Sequence, residues 1–244
     1  MAEKDWYAHW FDTAYYHLLY RHRDEDEARA FLLRMQQKFH LQHIRILDAG
    51  CGRGRHSAIL HDLGFDTTGI DLSAHNIQYA QQLQRKGLQF IHGDIRTDLP
   101  PHAFDWVVNL FTSFGYFDEE EENLRMLAAM CGALVKGGCL LMDFLNVVRV
   151  KQSVDEEAWH EESVQGILFR SRKRQDQRFV YKDISVHHND QVFHYQERVR
   201  LYKLDDFEQM FAQIGAKVEA IYGDYTFAPF NPEVSDRLIL CIRT

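Results

Sequence analysis

The chain predicts an α/β fold in which a mostly parallel sheet carries an antiparallel insertion. Two observations lead there. From Ile44 to Asn146, short apolar runs alternate with amphipathic, helix-like stretches. Such alternation makes a parallel sheet with helices on both faces. After Asn146 the pattern changes to long runs of alternating polar and apolar residues, which read as antiparallel strands exposed on one face.

Taken in order, residues 5–40 read as helical. "WYAHWFDTAYYHLLY" is dense in aromatics, and "DEDEARAFLLRMQQKF" has an acidic start and a basic end that suit a helix dipole. "IRILDA" is a strand and "GRHSAILHDLG" a helix closed by Gly64. "DTTGID" is a second strand. "SAHNIQYAQQLQRKG" reads as a helix from an N-cap at Ser73 to a C-cap at Gly87. "LQFIHGDI" and "FDWVVNLF" are the third and fourth strands. "DEEEENLRMLAAMCGALVKGG" reads as a helix with a basic end, and "CLLMDFLN" as the fifth strand. In the insertion, "ILFRSRKR", "RFVYKDISVHH" and "QVFHYQERVRLY" are strands, with a hairpin turn at Asn189-Asp190. "LDDFEQMFAQIGA" is a helix, and "KVEAIYGDY" and "DRLILCIRT" are the closing strands. The expected units are a helical lid at 1–43, a core at 44–146, the insertion at 147–203 and a return to the core at 204–244.

The 244 residues, 45% hydrophobic, suffice for one large domain with an insertion. A net charge of −8 argues against general affinity for nucleic acid backbones. Four cysteines without a CxxC pair suggest a reduced, cytoplasmic setting. No apolar run approaches the ~20 residues of a membrane span. Fourteen histidines show no metal-ligand spacing, so no metal is expected.

The chemistry centres on "ILDAGCGRGRHSAIL" (46–60). Glycines at Gly50, Gly52 and Gly54 let the backbone turn sharply and approach a ligand. The following helix offers free N–H groups. A dinucleotide fingerprint, G-x-G-x-x-G, would need glycine where Arg55 stands. Asp48, two residues before the first glycine, would repel a pyrophosphate and favour a cationic or amino-bearing ligand. Acids also close the next two strands, at Asp71 and Asp94. An acid about 20 residues past the loop suits a ribose, of this ligand or of NAD.

The loop spacing, the strand-end acids and "LVKGGCLLMDF" resemble the class I S-adenosylmethionine (SAM)-dependent methyltransferases. That resemblance covers 44–146 and extends more weakly to the end. It implies a seven-stranded Rossmann-like sheet of order 3-2-1-4-5-7-6, a methyltransferase activity (EC 2.1.1), SAM as cofactor and S-adenosylhomocysteine (SAH) as product. It implies cofactor contacts from Asp48, Gly50, Cys51, Gly52, Gly54, Asp71 and Leu72. Asp94 would lie near the adenine amino group and Ile95 on the ring, with Asn109 and Leu110 at the methionine end. "WFDTAYYHLLYRHRDEDEA", "CGRGRH" and "NLFTSFGYFDEEEENLRML" also resemble a bacterial subgroup taken to act on small molecules without firm substrates.

The aromatic N-terminal segment is the expected lid. Tyr15, Tyr16 and Tyr20 either cover a sulfonium, whose charge favours aromatic faces, or simply form an apolar helix stripe. Thr112, Ser113 and Tyr116 of "FTSFGYF" form a second wall. No catalytic base is assigned; His22, Asp143 and Tyr225 are weak candidates. The basic stretch Arg170, Arg172, Lys173, Arg174 and Arg178 is a solvated face, an anionic-acceptor site or a subunit contact, so a homodimer is one expectation. A small-molecule acceptor leads. The alternatives are RNA, DNA or protein methylation, for which the [DN]PP[YFW] motif is absent at Asn109, and a non-catalytic SAM/SAH-binding module.

Overall fold

A computed structural model describes residues 6–21 and 25–244. The N-terminal segment forms three short helices: α1 (Trp6–Trp10), α2 (Ala14–Leu19) and α3 (Glu25–Lys38). Thr13 breaks the run by capping α2, its hydroxyl accepting from the Tyr16 amide at 3.1 Å. The acidic first turn and Lys38 end of α3 follow the expected dipole pattern.

The core continues as β1 (Arg45–Ala49), α4 (Arg55–Asp62), β2 (Asp66–Asp71), α5 (Ala74–Ala80), β3 (Leu88–His92), β4 (Phe104–Asn109), α6 (Glu120–Gly132) and β5 (Leu134–Leu145). After α7 (Val147–Ser153) come β6 (His160–Val164), β7 (Ile167–Gln175), β8 (Phe179–His188) and β9 (Gln191–Arg200). The chain ends with α8 (Leu204–Gln213), β10 (Lys217–Tyr222) and β11 (Arg237–Arg243).

One seven-stranded sheet has the order β10-β11-β5-β4-β1-β2-β3. Read from the other edge, with β10 and β11 as sixth and seventh core strands, this is 3-2-1-4-5-7-6. β11 runs opposite to the other six strands, antiparallel to both β10 and β5. Both faces are covered, so the central strands are apolar on both sides. Leu47, Val107 and Leu140 pack with α6 and α8, while Ile46, Val108 and Leu141 pack with α3 and α4.

The insertion is a separate four-stranded antiparallel sheet, β6-β7-β8-β9. Asn189 and Asp190 turn at φ 51° and 58°, the left-handed pair that a tight hairpin requires. The N-terminal helices α1 and α2 join this second sheet: Trp6, Trp10 and Leu19 pack with Phe169, Ile184 and Val186 in one cluster.

Two expectations about elements need correction, and one strand was not expected. α5 stops at Ala80 with a 3-10 turn over 81–83, and Gly87 (φ 83°) serves the turn into β3 rather than a helix end. α6 ends at Gly132, so Lys136 belongs to β5 and the helix has no basic last turn. β6 was invisible in the sequence because "HEESV" is mostly exposed and carries no apolar alternation.

Candidate active site

A cavity of about 920 Å³ opens at the carboxyl ends of β1, β2 and β4, between the core sheet, the lid and the second sheet. The glycine loop forms one wall. The Gly50 and Cys51 amides donate to the Ile70 carbonyl at 2.9 and 3.0 Å, tying the loop to β2. Its three glycines all have positive φ, at 83°, 54° and 81°, yet they serve different ends. A Cβ on Gly54 would lie 2.6 Å from the Phe90 ring, and one on Gly50 would lie 2.9 Å from the Ser113 Cβ. A Cβ on Gly52 would meet nothing within 4 Å, and Gly52 lines the cavity. Gly54 is therefore a packing glycine off the wall, while Gly52 leaves space that a ligand can use.

Asp71 sits beside Gly52. One carboxylate oxygen accepts from the Gly52 amide at 2.8 Å and the other from the Ser73 amide at 2.9 Å. Burial raises its pKa, and these two amides offset part of that. A carboxylate has about four acceptor sites, so two amides leave capacity for two hydroxyls.

Asp48 lies beneath the loop, 2% exposed and off the cavity wall. It accepts from the Ser57 hydroxyl at 2.6 Å. Burial pushes its pKa up to about 6, against the Ser57 hydrogen bond and assisted by nearby Asp71. Its direct contact is thus with α4, and it braces the loop from below.

Asp94 and Ile95 line the cavity with Cys51, Leu72 and Leu110. The Asp94 carboxylate, however, is held by Arg96, through the backbone amide at 2.9 Å and Nη2 at 2.6 Å. Burial would raise its pKa, but Arg96 more than compensates and holds it below the usual carboxylate range. Arg96 also pairs with Glu122 and lies 4.4 Å from the Phe117 ring centre. Asn109 is fully buried and off the wall. Its Nδ2 donates to the carbonyls of Ala49 (2.8 Å) and Ser113 (3.2 Å), joining the ends of β1 and β4.

The loop after β4 is strained. Phe111 and Thr112 have φ of 54° and 63°, unusual for side chains of their size. Buried Asp143 holds them there. Its Oδ2 accepts from the Phe111 amide at 2.9 Å and its carbonyl from the Thr112 amide at 3.1 Å. Arg237 donates to Asp143 at 2.7 Å and to the Thr112 hydroxyl at 2.8 Å, and the Tyr225 hydroxyl reaches Asp143 at 3.1 Å. Burial and the Asp143 charge push the Tyr225 pKa upward. Asp143 and Tyr225 are committed to positioning this loop. His22 lies outside the described residues. Thr112, Ser113 and Tyr116 all line the cavity, and Tyr116 donates to the Thr112 carbonyl at 2.5 Å.

Tyr16 and Tyr20 line the opposite side with Trp6, Tyr7 and Phe11. Tyr15 does not; it turns to the second sheet, its hydroxyl 2.9 Å from His188 Nδ1. The N-terminal segment is fastened to the start of α5. Ser73 donates to Asp12, His17 lies 2.9 Å from the Asn76 side chain, and Asn76 donates to the Phe11 carbonyl at 3.3 Å. Glu197 of β9 accepts from Trp10 at 2.6 Å and from the Tyr20 hydroxyl at 2.8 Å, while Lys182 donates to Tyr20 at 2.8 Å. Asn76, Glu197, Lys182 and Arg237 are cavity residues that sequence reasoning missed, because their partners lie far along the chain.

Comparison with known proteins bears on the fold that carries this cavity. Residues 46–138 match the model of a methyltransferase domain. YqeM of Bacillus subtilis (strain 168), itself assigned as a methyltransferase only provisionally, is 25% identical over 190 residues, or 75% of this chain and 77% of that protein. A glycine/sarcosine N-methyltransferase of Aphanothece halophytica is 35% identical over 107 residues, 42% of this chain and 40% of that one. A SAM-dependent methyltransferase structure from Clostridium acetobutylicum superposes with a TM-score of 0.79 at 18% identity, covering 94% of this chain and 95% of that one. The amino pentose methyltransferase CalS10 of Micromonospora echinaspora gives 0.70 at 21% identity, with 95% and 98% covered. Residues 46–138 thus match a methyltransferase domain, and the chain as a whole has the fold of the SAM-dependent methyltransferases.

Proposed function

We propose that the protein transfers a methyl group from SAM to a small-molecule acceptor held under the N-terminal lid. The observation that carries this reading is the single cavity shared by the Gly52–Asp71 wall and the Tyr16–Tyr20 wall. A volume of about 920 Å³ falls in the usual range for a small-molecule site.

The residues present fit the cofactor. The open space over Gly52 admits a ligand backbone-close, and Asp71 retains acceptor capacity for a ribose diol. Leu72 and Ile95 offer apolar sides for an adenine. When bound, SAM supplies a methyl group on a sulfonium, and transfer is an in-line displacement.

The chain's own part is to align and enclose. Asp143 and Arg237 fix the strained Phe111–Thr112 turn, so one wall is preorganised. Alignment of this kind contributes on the order of 7–11 kcal/mol to such reactions. The lid, fastened to α5 through Asp12 and Asn76, limits water access and presents aromatic faces to a cation. No side chain is assigned as general base, because an acceptor that is already an unprotonated nucleophile needs none.

The small-molecule reading is favoured over nucleic acid by the second sheet. Arg170 pairs with Glu161 at 2.7 Å, and Arg174 and Arg172 pair with Asp183 at 3.0 and 3.5 Å. Three of the five cations of the stretch are thus ion-paired within the sheet, Arg172 and Arg174 sharing one carboxylate. A neighbour in fold supports the same reading: CalS10 is described as an amino pentose methyltransferase.

Incubating the chain with methyl-labelled SAM and a fractionated metabolite extract tests the proposal. The expected result is label in a small, protease- and nuclease-resistant product. Label in RNA, DNA or protein alone would refute the small-molecule assignment. SAH binding with no labelled product from any fraction would favour a non-catalytic binding module.

A further inference from the structure

The side chains of the second sheet sort by strand pleat. Successive residues point to opposite faces, and register partners share a face. Arg172 pairs in register with Asp183, and Arg174 with Tyr181, on one face. Between them Lys173 pairs with Lys182, which pairs in turn with Glu197, on the other. All three of this second row line the cavity. Lys173 is thus the one residue of "RSRKR" whose charge is turned inward with the acceptor-side wall.

Two ammonium groups directly opposite on neighbouring strands repel and destabilise a sheet. Lys182 is compensated: it donates to the Tyr20 hydroxyl at 2.8 Å, and that hydroxyl donates to Glu197. Among the described residues Lys173 has no hydrogen-bond or ion-pair partner. Of the other cationic side chains on the wall, Arg237 holds Asp143 and Arg21 holds Glu162 at 2.9 Å, while Arg53 and Arg55 belong to the glycine-loop side, 4.7 Å and 5.3 Å from the Tyr79 and Phe111 ring centres. A row of two lysines and one carboxylate, with that carboxylate already accepting from Trp10 and Tyr20, leaves one net positive charge facing the cavity.

We propose that Lys173, with Lys182 beside it, forms an oxyanion subsite that holds a carboxylate or phosphate of the methyl acceptor. This rests on the acceptor occupying the lid side of the cavity, as under the proposed function. The subsite sets specificity: it orients an acidic small molecule with its nucleophile directed away from the second sheet and towards the glycine-loop wall. The repulsion between the lysines is relieved when the anion binds.

The test uses the full chain saturated with SAH, at ionic strength held constant with potassium chloride. Inorganic phosphate and malonate are titrated in turn, by calorimetry, into the wild type, K173Q and K173R. The expected result is that at least one anion binds the wild type, about tenfold or more weaker in K173Q and restored in K173R. A preference for phosphate or for malonate identifies which group the acceptor carries. SAH affinity should stay within twofold in K173Q. Without anion, K173Q should melt up to about 3 °C higher than the wild type, because a like-charge pair has been removed. No binding of either anion to the wild type, or equal binding to wild type and K173Q, overturns the subsite. Failure of SAH to bind would instead refute the cofactor assignment, and the same anion titrations on the unsaturated chain still decide the subsite.

Discussion

The glycine-loop end and the lid end of the cavity are held by different forces. At the first, the walls are backbone: amides of Gly50, Cys51, Gly52 and Ser73 make the key hydrogen bonds, and glycines set the space. At the second, the walls are side chains from α1, α2, β8 and β9, joined around Glu197 by Trp10, Tyr20 and Lys182. A backbone wall is fixed by local sequence and tolerates little change. A side-chain wall is assembled from distant positions and can be rebuilt by single substitutions.

The largest expected effect separates two glycines at the first end. G54A forces a Cβ against Phe90 and a left-handed φ, costing about 2–6 kcal/mol of stability. G52A meets only the φ strain, about 1–3 kcal/mol, but places its methyl on the cavity wall and weakens SAH binding. Thermal melts and SAH titrations read the two effects apart, and equal melting losses would show that the division of labour is wrong. Next, D143A leaves the Arg237 guanidinium without its carboxylate and releases the Phe111–Thr112 turn. A loss of about 3–5 kcal/mol is expected in urea unfolding.

Asp48 gives a pH-dependent contrast. Its folded pKa of about 6 lies above the ordinary value of 3.8, so between these values the folded state binds more protons than the unfolded. Its contribution is therefore unfavourable, growing as pH rises through that window to on the order of 3 kcal/mol above it. D48N keeps an acceptor for Ser57 and should gain stability relative to wild type from pH 4 to pH 7. A constant difference across that range would argue against the buried carboxyl. The smallest effect belongs to the lid end. Y20F removes the hydroxyl between Lys182 and Glu197 and should cost about 1 kcal/mol. Hydrogen exchange should show faster opening of α1 and α2 with the core strands unchanged.

The same contrast explains what the sequence reveals. Strand-end acids, loop glycines and alternating apolar runs are local signals, and they carry the succession of core strands and helices and the positions of Gly52, Asp71 and Ile95, while the sheet order came from the family resemblance those signals support. Asp48 and Gly54 belong to the same motif yet serve packing, since a spacing pattern does not say which side of a turn a residue faces. Asp94 is likewise spoken for by Arg96, only two residues away. At the lid end, nothing near Glu197 or Lys182 in the chain marks them. Trp10 meets Glu197 across 187 residues and Tyr20 meets Lys182 across 162. The pleat that turns Lys173 inward and Arg172 outward becomes meaningful only once the second sheet is placed over the cavity.

The most direct measurement of the central assignment is calorimetry of SAH and NAD with the wild type and D71A. Binding of SAH in preference to NAD is expected, with D71A weakening SAH by about 1–3 kcal/mol because charge-assisted hydrogen bonds are removed. Preferential NAD binding, or SAH affinity unchanged in D71A, would contradict it.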